Sequence, residues 1–497
     1  MSTLETTTSP ADLPKPAKPS LKSLALRGSV WTVGTQLANN AMRLAGNMIL
    51  TRLLFPEAFG LMLLVGVFTA GLQMFTDLGI NQNIVQSERG DDPTFLNTAW
   101  TISVLRGVVL WLLACLLTWP YAMFYNEPKL LWLIPAVSFS SLIAGFASTR
   151  LATLNRKLAL GRACMVDFVA QFACLVTTVC FALVYKSVWA LVSGAIALHL
   201  TRTGMSHFIL KGHKVRFAWD SDAARSLYRF GRWIFISTIL TFMARQADKI
   251  MLGKLIDSEL LGIYGIALIW ALVPTELLQK VANQVAFPVF SRLKESPNGL
   301  SHDQAARVRR PLSILGGMIC TVLIVGGDDL IHLLYDPRYA DAGWMLQLLA
   351  IGIWFQMLGN NYAPAILALG RTKWLAAGHL SKFVFLLAAV PIGFHYGDIK
   401  GVLIGIAISE IAKYFVFAFA LHRYRLSQVP EDLGYTLLIG LSAGLGFTLN
   451  HTFNWHPVTL AIVSITLALA FWAPFSMSVL RMIKNKNRFN KDGEIRR

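Results

Sequence analysis

The chain has 497 residues, of which 55% are hydrophobic and only 14% charged, and its formal net charge is +18. A soluble protein carries about 25% charged residues, so this composition excludes an ordinary soluble domain and indicates a membrane protein. Most of the basic residues fall in segments on one predicted side of the membrane, as the positive-inside rule requires. No nucleic-acid recognition module accompanies them, and we expect no nucleic-acid partner.

Apolar runs of about 20 residues recur along nearly the whole chain, and each is long enough to cross a bilayer as a helix. The predicted fold is an all-α integral membrane protein with about fourteen transmembrane helices. These helices are expected at residues 28–53, 58–80, 96–118, 131–150, 163–185, 188–210, 231–256, 260–283, 311–333, 342–368, 374–395, 401–421, 434–450 and 457–480.

An internal repeat at an offset of 202 residues organises these helices. It is visible in three pairs of residues: Trp31 and Trp233, Arg43 and Arg245, and Gly60 and Gly262. Each repeat would contain six helices, and an even number gives both halves the same orientation. We therefore predict two parallel six-helix bundles around a central cavity, followed by two additional helices.

The predicted domain boundaries follow from this repeat and from the charge pattern. Both termini are expected in the cytoplasm. The predicted order is a disordered cytoplasmic tail (1–22), a first bundle (23–210), a cytoplasmic linker (211–230), a second bundle (231–425), two additional transmembrane helices (426–480) and a basic cytoplasmic tail (481–497).

Charges within the predicted spans mark the candidate site, since a charge at the bilayer centre costs about 2.5–3.5 kcal/mol on insertion scales. Such residues are retained where they face protein or a hydrated cavity. Arginine suits phosphate because its planar guanidinium donates two parallel hydrogen bonds. We predict that a cationic cavity binds a diphosphate through Arg43, Arg106, Arg245, Lys249, Gln36, Asn40 and Asn47.

The polar residues of the first predicted helix lie on one face, because Gln36, Asn40, Arg43 and Asn47 follow each other at spacings of four, three and four. Such a stripe should face a cavity. The alternative is a polar seam between helices, in which Arg245 of the seventh helix pairs with Asp248.

Three acidic residues within the spans are candidates for binding a coupling ion: Asp248, Glu276 and Glu410. Glu410 also lies three residues before Lys413, and this spacing favours mutual neutralisation. Lys382 is expected near the cytoplasmic end of its helix, where its long side chain would reach the interface.

Enzymatic motifs are absent from the sequence. It contains no phosphate-binding loop, no His-Glu-x-x-His and no Gly-x-Ser-x-Gly, and its five cysteines show no metal-ligand spacing. We therefore expect a protein that is not an enzyme and that uses no catalytic residue, metal or cofactor.

Short motifs along the chain resemble those of bacterial polysaccharide-export flippases. They are LTRLLFPEAFG at residues 50–60, FTDLGI at 75–80, NRKL at 155–158, FPVFSR at 287–292 and ALGR at 368–371. The resemblance covers about residues 22–425 and places the chain in the multidrug/oligosaccharidyl-lipid/polysaccharide exporter superfamily. It implies that the protein flips an undecaprenyl-diphosphate-linked oligosaccharide repeat unit across the inner membrane by alternating access. The product would serve exopolysaccharide or surface polysaccharide synthesis, and a polysaccharide polymerase and co-polymerase are implied partners.

Two other functions compete with this interpretation. A cation-coupled drug or metabolite exporter of the same superfamily would favour an acidic cavity, whereas the deep charges here are mostly basic. A membrane polysaccharide polymerase or glycosyltransferase needs large outer loops, whereas the predicted outer loops, such as 125–129 and 395–400, are short.

Overall fold

The computed structural model describes residues 21–76, 79–156, 159–210, 212–282, 286–295 and 300–453, and scattered positions between 459 and 474. All regular secondary structure among the described residues is helical, and loops connect the helices. Their helices are α1 (Leu21–Leu53), α2 (Pro56–Phe75), α3 (Ile80–Gln86), α4 (Pro93–Tyr125), α5 (Leu130–Gly145), α6 (Arg150–Arg156), α7 (Leu160–Tyr185), α8 (Trp189–Phe208), α9 (Ser221–Leu255), α10 (Ser258–Val281), α11 (Phe287–Glu295), α12 (His302–Leu334), α13 (Ala342–Ala368), α14 (Thr372–His422) and α15 (Val429–Phe453).

Among these residues, eight helices are long and apolar enough to cross a membrane, or nine if the bent pair α5 and α6 forms one span. The helices α1 and α9 are long, at 33 and 35 residues, but they fall outside this group. Each carries a polar stripe, so its average hydropathy understates how much of it can lie within a membrane protein. The predicted run at 457–480 lies mostly outside the described residues, as do the terminal tails.

Helix α14 consists of two helical arms that fold back on each other at a kink. Its backbone leaves helical geometry at Gly397 and Asp398. A Cβ added at Gly393 would lie 2.2 Å from the carbonyl oxygen of Gly401, so the two arms touch backbone to backbone. The runs predicted at 374–395 and 401–421 therefore form the two arms of a helical hairpin.

The halves meet at a crossing of α2 and α10, where two glycines allow close approach. A Cβ added at Gly60 would lie 1.8 Å from the oxygen of Ser258, and one added at Gly262 would lie 1.9 Å from the oxygen of Pro56. Gly60 and Gly262 are 202 residues apart, and so are the two residues whose carbonyl groups they contact, Pro56 and Ser258. Each half therefore makes the same contact with the other. This is the arrangement expected of a two-fold relation between them.

We expect Gly60→Ala to lower stability by about 1–3 kcal/mol, because the added methyl group meets a backbone atom that cannot move independently. Thermal unfolding of the detergent-purified chain would measure the loss, and Gly262→Ala should reproduce it. Gly440 of α15 provides the control, since nothing lies within 4 Å of an added Cβ there. Equal unfolding temperatures for Gly60→Ala and Gly440→Ala would contradict the expectation.

Further contacts join the halves at the predicted outer ends of α1 and α9. After α12, Arg338 donates hydrogen bonds to the carbonyl oxygens of Thr51 and Arg52 at 3.1 and 3.3 Å. At the end of α9, Lys254 donates to the carbonyl oxygen of Phe124 at 2.6 Å. A cation at a helix C-terminus is stabilised by the helix dipole, so these contacts hold the outer ends together.

The segment that connects the halves is anchored to the first half by a three-residue ion cluster. Arg89 lies 2.9 Å from both Asp92 and Asp220, the N-caps of α4 and α9. The hydrogen bond from Arg89 lowers the pKa of the Asp220 carboxyl, so the contact persists at neutral pH. The proposed domain boundaries themselves remain predictions.

Candidate functional site

A cavity of about 490 Å³ lies between α2, α9, α10, α13 and α14. Its walls combine apolar side chains of α2 and α10 with charged side chains from α9, α10 and α14. The charged lining residues are Arg245, Asp248, Lys249, Glu276, Lys382, Glu410 and Lys413. Two of the predicted binding residues and all three predicted ion-coupling residues thus meet in one place.

Arg245 is exposed within this cavity. No acidic group of the described residues lies within ion-pair distance of its guanidinium. The predicted alternative, a local pair with Asp248, is not formed. Instead Asp248 accepts a hydrogen bond from the Tyr264 hydroxyl at 3.1 Å and lies 3.8 Å from the Lys249 ammonium.

Lys249 stands one residue beyond Asp248 and borders two cavities. Its ammonium donates hydrogen bonds to the side-chain oxygen of Gln246 at 3.0 Å and to the carbonyl oxygen of Arg245 at 3.1 Å. The side chain is 13% exposed, so this ammonium is nearly desolvated and held by neutral oxygens as much as by Asp248.

Arg43 lies in the second cavity, which measures about 550 Å³ and is bordered by α1, α2, α7, α8 and α10. Its guanidinium forms an ion pair with Glu276 of α10 at 3.0 Å, with both side chains more than a third exposed. Asn47 lines the same cavity, whose walls are otherwise mostly apolar. The two cavities adjoin, since Lys249 borders both.

The remaining polar residues of α1 position Arg43 and do not line either cavity. Gln36 donates a hydrogen bond to the side-chain oxygen of Asn40 at 3.1 Å, and Arg43 donates to the same oxygen at 3.4 Å. The predicted stripe therefore exists as a hydrogen-bonded chain along one helix face, but only Arg43 and Asn47 of its members line a cavity.

Arg106 lies apart from the cavities, and its prediction as a cavity-lining residue is corrected by the structure. Its guanidinium donates to the Thr76 hydroxyl at 3.1 Å and to the carbonyl oxygen of Gln73 at 2.8 Å. These groups end α2, so Arg106 satisfies carbonyl groups that a helix C-terminus leaves unpaired. The prediction did not anticipate that the side chain of Arg106 turns towards the end of α2.

Glu410 is held between two lysines in the wall of the first cavity, which Arg245 also lines. Lys382 and Lys413 each place an ammonium 2.5 Å from a different carboxylate oxygen, and Gln356 donates to the oxygen that Lys382 contacts at 3.1 Å. The pair of Glu410 and Lys413 was predicted from its spacing. The interfacial placement predicted for Lys382 is wrong, since this residue is only 8% exposed.

Lys382 could have been recognised from the helix boundaries. It lies ten residues after the start of α14, or about 15 Å along the helix axis. That depth is near the middle of a hydrocarbon core of about 30 Å. The prediction failed because the start of the apolar run was placed at 374 and the side chain was assumed to extend towards the nearer end.

The first cavity, lined by Arg245 and Glu410, is therefore a basic site whose acidic residues are already paired. Four cations face three acids, and each acid lies within 4 Å of at least one cation. Arg43 adds a further cation from the adjoining cavity. Excess positive charge in a poorly solvated site favours binding of an anion, and phosphate oxygens suit the arginine and lysine donors.

Comparison with known proteins identifies a matching family and several similar proteins. A family model described as "Polysaccharide biosynthesis protein" matches residues 49–343. The chain is 22% identical over 412 residues to the lipopolysaccharide biosynthesis protein WzxC of Escherichia coli (strain K12), covering 80% of this chain and 81% of that protein. It is 26% identical over 340 residues to the amylovoran biosynthesis protein AmsL of Erwinia amylovora, covering 66% and 84%.

A similar fold occurs in the lipid II flippase MurJ in its inward closed conformation. The TM-score is 0.69 at 12% identity, with 92% of this chain and 99% of that chain covered. At that identity the likeness concerns the fold. The family model spans more than half of the chain, so the protein belongs to the polysaccharide biosynthesis protein family.

Proposed function

We propose that this protein flips an undecaprenyl-diphosphate-linked oligosaccharide repeat unit from the inner to the outer leaflet of a bacterial inner membrane. The observation that carries the proposal is Arg245, a cavity-facing guanidinium that no described acid neutralises, beside three acids that are already paired. A diphosphate supplies the missing negative charge, and family relatives named for lipopolysaccharide and amylovoran biosynthesis support a saccharide cargo.

The proposed binding residues act at the junction of the two cavities. Arg245 and Lys249 contact the diphosphate from α9, and Arg43 approaches from α1 after leaving Glu276. The mostly apolar cavity beside Arg43 accommodates the first part of the polyprenyl chain. An apolar ligand can cover the apolar walls there without leaving polar groups unpaired. Asn47 contributes hydrogen bonds to the same region.

Transport by alternating access requires the halves to move relative to each other. We propose that the two bundles, 23–210 and 231–425, rock about the crossing of Gly60 and Gly262. In the conformation described, Arg338 and Lys254 hold the predicted outer ends together, and these contacts must break before cargo can leave outward. Helix α15, from the predicted segment 426–480, would move with the second bundle, because its Asp432 pairs with Arg309 of α12.

The acids in the cavity argue against export of a cation. Asp248 accepts from Tyr264 and lies beside Lys249, Glu276 is paired with Arg43, and Glu410 is shared by two lysines. A cationic drug would have to displace a resident cation from each. Coupling to an ion through any of these carboxylates remains a prediction.

The proposal is tested in a bacterial strain that lacks this gene. We expect completed undecaprenyl-linked repeat units to accumulate, detected by mass spectrometry of extracted lipids, while surface polysaccharide is lost. Reintroducing the wild-type gene should reverse both effects. Normal polysaccharide without any accumulated intermediate would contradict the proposal and would favour the exporter.

A further inference from the structure

We infer that Lys382 is a substrate-binding residue, and that it is paired with Glu410 while no anion occupies the cavity. This inference rests on the proposed function, because it assigns a further contact to the diphosphate. The ammonium would leave Glu410 when phosphate oxygens arrive, and it would return when the cargo departs.

The first argument is charge. One carboxylate needs one ammonium for neutrality, yet Glu410 has two within 2.5 Å, so the group of Lys382, Glu410 and Lys413 carries one positive charge in excess. A buried charge without an opposite charge raises the free energy of the folded protein, because its surroundings solvate it poorly. An anion in the cavity removes that cost. Lys382, the more exposed of the two lysines, is the one that can contact the anion.

The second argument is reach. Lys413 follows Glu410 by three residues on the same arm of α14, and its side chain is 2% exposed. It is confined next to the carboxylate. Lys382 comes from the other arm of the hairpin, and its side chain is 10% exposed and lines the cavity. Its four-carbon chain has the rotational freedom to turn from Glu410 towards the cavity.

The third argument is what remains after Lys382 has left. Gln356 of α13 donates to the same carboxylate oxygen that Lys382 contacts, at 3.1 Å, and Lys413 stays on the other oxygen. Glu410 then keeps the neutralising ammonium of Lys413 beside one oxygen and the hydrogen bond from Gln356 on the other. The carboxylate therefore loses little when the ammonium moves, whereas removing Lys413 would leave it without its permanent partner.

The experiment measures binding of farnesyl diphosphate and of inorganic pyrophosphate to the full chain purified in detergent. Wild-type protein is compared with three variants. Lys382→Gln removes the ammonium that is proposed to move. Glu410→Gln combined with Lys413→Met removes the carboxylate with which Lys382 pairs, and it keeps the net charge of the protein unchanged. Lys373→Gln, at an exposed position near the start of α14, is the matched control.

We expect Lys382→Gln to weaken binding about tenfold, as for loss of one hydrogen bond between charged groups. The double variant should bind more tightly than wild type, because Lys382 no longer has to leave an acid, and Lys373→Gln should bind like wild type. If wild-type protein binds both probes, the diphosphate alone is recognised. If it binds only farnesyl diphosphate, the lipid chain is also required for binding. Either pattern supports the inference if it depends on Lys382.

Two results overturn the inference in distinguishable ways. If wild type binds and Arg245→Ala does not, but Lys382→Gln and the double variant match wild type, Lys382 is a structural residue and the proposed function stands. If wild-type protein binds neither probe, the proposed function fails, and the role of Lys382 fails with it. Unfolding temperatures recorded for every variant separate lost binding from lost folding.

Discussion

Replacing Arg245 with alanine is expected to reduce export at least about tenfold, since a hydrogen bond between charged groups contributes about 1.5–3 kcal/mol. The residue faces the cavity and has no described acidic partner, so its removal leaves no carboxylate unpaired. The protein should therefore insert and accumulate normally. Complementation of a deletion strain, with surface polysaccharide and lipid-linked repeat units quantified together, measures the effect.

Two further variants show whether charge or geometry matters at this position. Arg245→Lys keeps the charge but loses the planar pair of donors, so partial export is expected. Arg43→Ala should reduce export to a similar extent, and it additionally leaves Glu276 without its ion-pair partner. Export at the wild-type level in both alanine variants, with the proteins present in the membrane, would remove the argument for a diphosphate site.

The largest effect on stability is expected at a buried ion pair far from the cavity. Arg309 of α12 and Asp432 of α15 are 1% and 2% exposed and lie 3.2 Å apart. The hydroxyl groups of Tyr362 and Tyr414 donate to the same carboxylate at 2.7 and 3.0 Å, so four helices converge on Asp432. Asp432→Ala would leave the Arg309 charge buried without an acid, at a cost of about 3–5 kcal/mol.

The neighbouring pair provides a matched control on the same two helices. Arg310 and Glu431 also join α12 to α15, but their side chains are 35% and 29% exposed. An ion pair open to solvent contributes about 0–1 kcal/mol, so Glu431→Ala should lower the unfolding temperature only slightly. Thermal unfolding in detergent compares the two variants. Similar losses would show that burial does not govern the contribution of the Arg309 pair.

The helices and their order could largely be predicted because both depend on local chemistry. Continuous apolar runs are sufficient to indicate spanning helices, and matching residues at an offset of 202 indicated related halves. The ends of α1 and α9, at Leu53 and Leu255, differ by that offset, as do the starts of α2 and α10. The bend between α5 and α6 was not predicted, because residues 131–150 form one apolar run that does not reveal a change of direction.

Most residues of the candidate site were predicted from the sequence, but the ion pairs that they form were predicted less well. Arg245, Lys249 and Asp248 were correctly brought to one cavity, since their spacing places them on one helix face. Arg106 was placed there as well, but it caps α2. Lys382 was missed, although its depth in α14 could have indicated it.

The amino-acid sequence by itself determined a helical membrane protein with an excess of cations at depth, because transfer of each side chain into a membrane depends on its own chemistry. Only the tertiary structure decided which of those charges neutralise each other. Arg43 meets Glu276 across 233 positions of sequence, and Lys382 meets Glu410 across the turn of a hairpin. Such pairs depend on how each helix is rotated and where it crosses its neighbours, and packing of the whole chain sets both.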